Sequence, residues 1–114
     1  MVVNISGLNK ARDLINASLT TGKCGTGTST ATAEDTGLDV EQAATSKTLV
    51  NNLSDRLITT TFSLSSAEGN GLQLTEFGNF FSTGEMLARI RHTPISKDNT
   101  KEFNFVCVFE LKGE

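Results

Sequence analysis

The chain has few of the residues from which zinc sites are built, and it lacks two of the three large aromatic residues. Its 114 residues include no tryptophan, no tyrosine, one proline, one histidine and two cysteines. A single histidine and the absence of a CxxC pair leave no ligand set for zinc, so we expect no metal and no other cofactor. Without Trp and Tyr, the core has to be built from seven phenylalanines together with Leu, Ile and Val.

Catalytic groups are equally scarce. His92 is the only candidate base, no GxSxG nucleophile elbow occurs, and no carboxylate stands in a motif-like relation to the nearby Ser82 and Thr83. Glu76 and Glu85 flank the arms of a predicted hairpin, but nothing in the sequence sets the separation of the two carboxylates. The sequence therefore predicts a protein that is not an enzyme.

Long apolar runs and a surplus of positive charge are also missing. No stretch approaches the roughly 20 apolar residues of a membrane-spanning helix, and no basic and apolar leader follows Met1. Ten Lys and Arg against 13 Asp and Glu give a net charge of −3, which does not favour binding to phosphate backbones. We expect a chain made in a cytoplasm, with neither membrane nor nucleic acid as a partner, in which Cys24 and Cys107 are reduced thiols.

The size and composition predict one domain over residues 1–114. A chain of this length buries about two-thirds of the surface that its unfolded form exposes, which is enough to fold without a disulfide. Its hydrophobic content of 37% is at the low end for a globular domain. A thin core of this kind is typical of a subunit that a neighbouring copy completes.

What the sequence does contain is a pattern of strands, organised around a hairpin within residues 71–97. Apolar residues crowd from Leu72 to Phe81, residues 82–84 supply turn chemistry, and polar and apolar residues alternate from Glu85 onward. The alternation predicts two faces for the second arm: Met86, Ala88 and Ile90 on one, and Leu87, Arg89 and Arg91 on the other, charged one.

The N-terminal part predicts one helix followed by a long loop. Apolar spacing indicates a helix over residues 7–19, with Ser6 as its N-cap and Gly22 ending it. Residues 20–46 are rich in Thr and Gly and are predicted as loop, with at most one short strand at Lys23-Cys24.

Short connections predict that the strands within residues 47–111 are antiparallel. Strands are indicated at 47–50 and 57–64, with a turn at Asn51-Asn52. The segment 103–111 is apolar on both faces, which is typical of a central strand or of one whose outer face meets another subunit. The predicted core consists of Ile58, Phe62, Leu72, Leu74, Phe77, Ile90, Phe105 and Phe109. The fold class is thus mainly β, an antiparallel β-sandwich or barrel-like sheet of about five or more strands with one N-terminal helix.

Two clusters of opposite charge are the candidate contacts between subunits. The acidic residues are Glu34, Asp35, Asp39 and Glu41, and the basic residues are Arg89, Arg91, Lys97 and Lys101. Complementary patches of this kind set the register between neighbouring copies. The alternative, that both clusters are simply solvated, stays open at this point. The nearby Gly25-Thr26-Gly27 lacks the Gly-Lys-Ser/Thr of a phosphate-binding loop.

Six short motifs are spread, in order, over nearly the whole chain. They are Gly7-Leu8-Asn9 with Arg12-Asp13-Leu14-Ile15, Gly25-Thr26-Gly27-Thr28, Asp35-Thr36-Gly37-Leu38, Thr75-Glu76-Phe77-Gly78, Leu87-Ala88-Arg89, and Pro94-Ile95 with Lys97. Their order and spacing resemble those of a group of small virion structural proteins of tailed bacterial and archaeal viruses. The resemblance implies a non-enzymatic head or tail component, present in many copies, whose partners are copies of itself and other virion proteins.

Two functions follow as hypotheses. The first is a self-associating structural protein of the virion, a homo-oligomer that docks on neighbouring head or tail proteins. The alternative is a receptor- or glycan-binding tip module, since the hydroxyls of the Thr-rich loop are able to donate and accept hydrogen bonds.

Overall fold

Seven β-strands and one N-terminal helix form two antiparallel sheets in the computed structural model, which describes residues 1–112. The elements are α1 (Ile5–Ser18), β1 (Leu19–Gly25), a short 3-10 helix (Ala43–Thr45), β2 (Lys47–Thr48), β3 (Val50–Ser54), β4 (Leu57–Leu64), β5 (Gln73–Phe81), β6 (Met86–Ser96) and β7 (Phe103–Glu110). One sheet has the order β2-β1-β5-β6 and the other has the order β3-β4-β7. The predicted mainly β fold with one N-terminal helix is confirmed.

Phenylalanine rings join the inner faces of the two sheets. The ring centroids of Phe62 on β4 and Phe77 on β5 lie 4.9 Å apart, and Phe105 on β7 stacks on Phe77 at 4.7 Å. Phe62 and Phe77 are fully buried. Offset or tilted ring pairs at these distances contribute about 0.5–1.5 kcal/mol beyond the area that they bury. The sandwich is therefore held at its centre by aromatic contacts between strands that are distant in sequence.

Most of the predicted core is confirmed, and one member is wrong. Ile58, Phe62, Leu74 and Phe77 are fully buried, whereas Leu72, Phe105 and Phe109 are partly buried and pack against that cluster. Ile90 pairs in register with Phe77 but remains 41% exposed. The reason is its position on β6, the edge strand of the wider sheet, which the narrower three-stranded sheet leaves partly uncovered.

The helix and the segment after it differ from the prediction. The helix begins at Ile5 with Asn4 as N-cap and ends at Ser18, so Ser6 lies inside it. The chain enters β1 directly, and Gly22 therefore lies mid-strand and does not end the helix. A Cβ at Gly22 would lie 2.5 Å from the ring of Phe62, which explains why this position in a central strand has no side chain. The region predicted as loop from residue 20 is thus a strand as far as Gly25.

Two further expectations about the strands are corrected. Asn51 and Asn52 lie within β3, and the chain turns after it, where Asp55 adopts a φ of 51°. β7 is an edge strand, not a central one, although its alternation is as predicted: Val106 and Val108 point outward, 61% and 59% exposed. Its opposite face carries the half-buried aromatic residues. No helix among the described residues has the length and apolarity needed to cross a membrane.

Candidate functional site

The most highly organised polar structure in the chain lies on the outer face of the four-stranded sheet. Phe77 enters the core, so the neighbouring Glu76 projects from the opposite face of β5. There the segment 26–40 folds back over the sheet and covers Glu76, which is completely buried. We call this segment the clasp loop. A buried charge requires partners, and the clasp loop supplies most of them.

Glu76 accepts four hydrogen bonds at the base of the clasp loop. Its Oε2 accepts from the backbone N–H of Gly27 at 2.9 Å and of Val40 at 2.8 Å. Its Oε1 accepts from the N–H of Asp39 at 2.9 Å and from Nε of Arg89 at 2.9 Å. One carboxylate therefore ties both ends of the clasp loop to the centre of the sheet.

Arg89 extends this network from β6 to the tip of the clasp loop. Its side chain is 3% exposed. Besides Glu76, it donates from Nη1 to Oδ2 of Asp35 at 2.9 Å and from Nη2 to the carbonyl oxygen of Ser29 at 2.8 Å. The planar fork of a guanidinium allows one side chain to reach three acceptors at fixed angles.

Within the clasp loop, two aspartates shape the backbone. Oδ2 of Asp39 accepts from the N–H of Thr28 at 3.1 Å and of Ser29 at 3.2 Å. Oδ2 of Asp35 accepts from the N–H of Thr32 at 2.9 Å. These local bonds are the turn-forming interactions that Asp side chains commonly make, and they set the loop in a defined conformation.

The close approach of backbone to carboxylate explains the glycines of the GTG motif. A Cβ on Gly25 would lie 2.6 Å from the carbonyl oxygen of Val40, and one on Gly27 would lie 2.6 Å from Oε2 of Glu76. Real Cβ atoms do not approach other atoms so closely, so both positions require glycine for space. The motif binds a carboxylate of the same chain.

Hydrogen bonding keeps the groups of this network charged. Burial by itself raises the pKa of Glu76, but the bonds from the backbone N–H groups of Val40 and Asp39, from Arg89 and from Gly27 outweigh it, so the pKa is lowered. The pKa of Asp35 is lowered by its bonds to the backbone of Thr32 and to Arg89. For Arg89, burial is outweighed by Glu76 and Asp35, and the pKa is raised.

These shifts predict that acid weakens the clasp loop. A carboxylate whose folded pKa is lowered stabilises the fold at pH values above its unfolded pKa, and that stabilisation is lost as the pH falls through the folded value. We therefore expect the urea midpoint to fall as the pH is lowered from about 5. Glu76→Gln should reduce stability at pH 7 and flatten this pH dependence. Glu102→Gln, at an exposed position, is the control; equal slopes for the two variants would contradict the assignment.

The structure assigns different environments to the eight predicted contact residues. Asp35 and Arg89 pair with each other within one chain. Both charges thus have a partner within the chain, and the Arg89 side chain is 3% exposed. Their role as contacts between copies stays a prediction. Asp39 is used in the clasp loop, and Glu41 lies 3.3 Å from Nζ of Lys23.

The remaining predicted contacts divide into one buried residue and three exposed ones. Lys97 is 2% exposed, so it is not on the surface. Its Nζ donates to Oδ1 of Asn70 at 2.8 Å and stabilises the turn that contains Asn70. Glu34, Arg91 and Lys101 are exposed. Their role as contacts stays a prediction. Sequence reasoning missed Glu76 as an organising residue; the available signal was an acidic residue inside a densely apolar strand.

Both cysteines are free, and their environments differ. Cys24 is fully buried in β1. Burial raises the pKa of its thiol to about 12, against a smaller lowering effect of the hydrogen bond with Thr45. Cys107 lies on the edge strand and is half-buried.

Thiol alkylation should therefore distinguish the two cysteines. In the native protein at pH 8 we expect iodoacetamide to modify Cys107 much faster than Cys24, because the thiolate is the reactive form and Cys24 is kept protonated. In denaturant both should react at similar rates. Mass spectrometry of tryptic peptides measures both. Equal native rates, or a bridge between the two residues, would contradict the structure.

A second surface stands out because nothing in the described part of the chain covers it. The register of the three-stranded sheet places Val50, Thr61 and Val106 in one cross-strand row, and Thr59 and Val108 share the next row. These residues point away from the core, and the three valines are 59–62% exposed. We call them the valine face. The valine face differs from the outer face of the other sheet, which the clasp loop covers.

Residues 1–112 contain no cluster of three or more His, Cys, Asp or Glu side chains able to hold a metal ion. The carboxylate of Glu76 is enclosed by its four donors, so it has no free position for a substrate. Nδ1 of His92 lies 2.9 Å from the carbonyl oxygen of Thr93, and its ring lies 5.4 Å from that of Phe105. Glu76 and Arg89 thus hold the clasp loop on the sheet.

Comparisons of the chain with protein-family models, with curated protein sequences and with solved structures find no match.

Proposed function

We propose that this chain is a non-enzymatic structural protein of a tailed virus, which associates with copies of itself and docks on neighbouring head or tail proteins. The observation that carries the proposal is the valine face. One sheet of the sandwich has the clasp loop on its outer face, whereas the other exposes three valines on its two edge strands, two of them in one cross-strand row. Exposed apolar surface of this kind marks sites of protein association.

Two further features support a role in assembly. The N-terminal segment exposes apolar side chains, among them Val2 at 78%, Ile5 at 62% and Leu14 at 58%. A surface cleft of about 430 Å³ lies between α1 and the β5–β6 turn and is lined by Leu14, Ile15 and Phe81. The chain thus offers apolar surface on its helix and on one sheet. The resemblance of its motifs to small virion proteins supports a virion as the kind of assembly.

The experiment is mass spectrometry of purified virus particles whose genome encodes this chain, with intensity-based copy numbers, followed by a cryo-EM map of the same particles. We expect the chain in many copies, at positions where symmetry repeats it. Sedimentation velocity of the purified protein should show association that increases with concentration. Absence from the particles, together with a monomer at millimolar concentration, would overturn the proposal.

The receptor- or glycan-binding alternative has less support. The clasp loop directs Asp35, Asp39 and the backbone N–H groups of Thr28 and Ser29 into its own hydrogen bonds. Sugar binding commonly uses exposed aromatic rings as apolar platforms. All seven phenylalanines of the described chain are buried or half-buried. A glycan array with the isolated protein tests this alternative directly.

A further inference from the structure

Among the described residues, β7 is the one long edge strand that has no proline, no bulge and, between Phe103 and Phe109, no charged residue to prevent strand pairing. Among the described strands, β7 pairs only with β4, over eight residues from Phe103 to Glu110. Along its other side no backbone hydrogen bond to the remainder of residues 1–112 is formed. An edge strand in this state carries a row of free N–H and C=O groups that is able to pair with another strand.

The other three edges are short or protected. β2 has two residues and β3 has five. β6 carries Pro94 and the exposed Arg91, and two irregularities interrupt its pairing with β5. Proline, charge and bulges are the devices by which proteins prevent unwanted strand pairing. Between Phe103 and Phe109, β7 contains no proline and no charged residue.

The residues of β7 complement those of a second copy in one register. In a symmetric antiparallel pair within one continuous sheet, outward residues face outward residues. With Cys107 on the twofold axis, Val106 lies opposite Val108 of the second copy, and Phe105 lies opposite Phe109 of the second copy. Two residues beyond each end of this ladder, Glu102 lies opposite Lys112 of the second copy, which brings opposite charges near each other. Within one chain, Nζ of Lys112 lies 3.3 Å from Oε1 of Glu110.

The neighbouring register is less favourable. With Val106 on the axis, Glu102 faces Glu110 of the second copy, and Val108 faces Asn104 of the second copy. Like charges directly opposite each other destabilise a strand pair, and a valine–asparagine pair loses the apolar contact. Charge and apolar matching therefore both favour the register centred on Cys107 over the one centred on Val106.

We propose that two copies of this chain pair antiparallel through β7, with Cys107 on the twofold axis, to form a continuous six-stranded sheet. The pair extends the valine face across the axis and places the valines of both copies next to each other. The inference specifies one contact of the self-association under "Proposed function" and rests on it. Backbone hydrogen bonds supply the pairing, and the alternating side chains determine the register.

Cysteine cross-linking tests the register. In a Cys107→Ser background, Val106→Cys and Val108→Cys are made in separate chains that carry different tags and are co-expressed. Cys24 is fully buried, so it does not compete for cross-linking. Mild oxidation with diamide should give a mixed disulfide between the two variants. Its yield should be at least tenfold higher than that of the disulfide between two copies of either variant alone, since directly opposed residues lie within the 4.4–6.8 Å Cα range of disulfides. A cross-link of Val106→Cys to itself overturns this register.

A charge substitution with a matched control tests whether the β7 edge forms the contact between the two copies. Val106→Lys should raise the dissociation constant of the dimer at least tenfold, because it brings two ammonium groups close to the twofold axis. Val50→Lys makes the same change on the same outer face, in the same cross-strand row, but at the opposite edge, and should leave the dimer intact. Both side chains are exposed, so circular dichroism should show an unchanged fold.

The possible outcomes are distinct from those of the proposed function. Equal sedimentation of Val106→Lys, Val50→Lys and the unmodified chain overturns pairing through β7. If particles contain the chain in many copies but no mixed disulfide forms in them, the structural role stands and the β7 dimer does not. A mixed disulfide in particles, together with loss of the dimer in Val106→Lys but not in Val50→Lys, supports the β7 dimer.

Discussion

Arg89→Met should lower the free energy of unfolding by on the order of 3 kcal/mol, because it leaves the buried Glu76 charge without its cationic partner. Within residues 1–112, Arg89 is the only side chain that donates to Glu76; the other three donors are backbone N–H groups of the clasp loop. Asp35 and the carbonyl oxygen of Ser29 lose their donors at the same time. The loss is a large share of the 5–15 kcal/mol typical of a domain.

Two matched variants isolate the role of the guanidinium. Arg91→Met removes the same charge two residues away on β6, where the side chain is exposed, and should change stability by no more than about 0.5 kcal/mol. Arg89→Lys keeps the charge but lacks the planar fork, so it should recover only part of the loss. Urea unfolding followed by circular dichroism measures all three variants.

Hydrogen exchange locates the effect within the chain. In Arg89→Met we expect the amides of Gly27, Asp39 and Val40 to exchange faster than those of β4, because the clasp loop opens before the sandwich unfolds. A midpoint for Arg89→Met equal to that of Arg91→Met would contradict the buried network. So would unchanged protection of the three clasp amides.

Phe77→Ala should cost about 3–5 kcal/mol, the range measured for truncation of fully buried phenylalanines. Phe77 is the ring that contacts both Phe62 and Phe105, and it has no exposed surface. Its removal separates the two sheets at the point where their inner faces meet. A cavity there cannot be filled by neighbours that are themselves held on strands.

Phe105→Ala is the comparison, because it removes the same side chain from the edge strand. Phe105 is half-buried within one chain, so at concentrations where the chain is a monomer Phe105→Ala should lose less than Phe77→Ala and less than about 3 kcal/mol. Thermal unfolding followed by calorimetry measures both variants. An equal loss for the two would mean that the edge strand is covered in solution, as β7 pairing through a second copy would produce. A loss below about 1 kcal/mol for Phe77→Ala would contradict its place in the core.

The faces of β4 and the turn between β5 and β6 were predictable because their signals are local. Alternation along β4 correctly places Ile58, Phe62 and Leu64 on one buried face. The turn between β5 and β6 falls at Gly84, whose φ of 105° favours glycine. Each of these signals involves residues within a few positions of one another. Alternation of apolar and polar residues is enough to predict the strand, and a turn residue is enough to predict the turn.

The candidate site was predictable only in part. The sequence indicated that acidic residues near Asp35 and basic residues near Arg89 attract each other, but it did not indicate that they do so within one chain. The sequence indicates for Glu76 only a carboxylate pair with Glu85 whose separation it does not set, whereas in the structure Glu76 is the residue on which the clasp loop closes. Whether a charge is buried depends on which distant segment covers it, and no local pattern records that.

By itself, the sequence determined the mainly β class, the N-terminal helix, the central hairpin and most of the core, since these depend on the spacing of apolar side chains along the chain. Only the tertiary structure decided that Gly27 meets Glu76 across 49 positions of sequence, that Arg89 is enclosed, and that β7 is an edge. Strand order and loop closure join residues far apart in the chain, and the free energy that selects them is the packing and charge pairing of the whole fold.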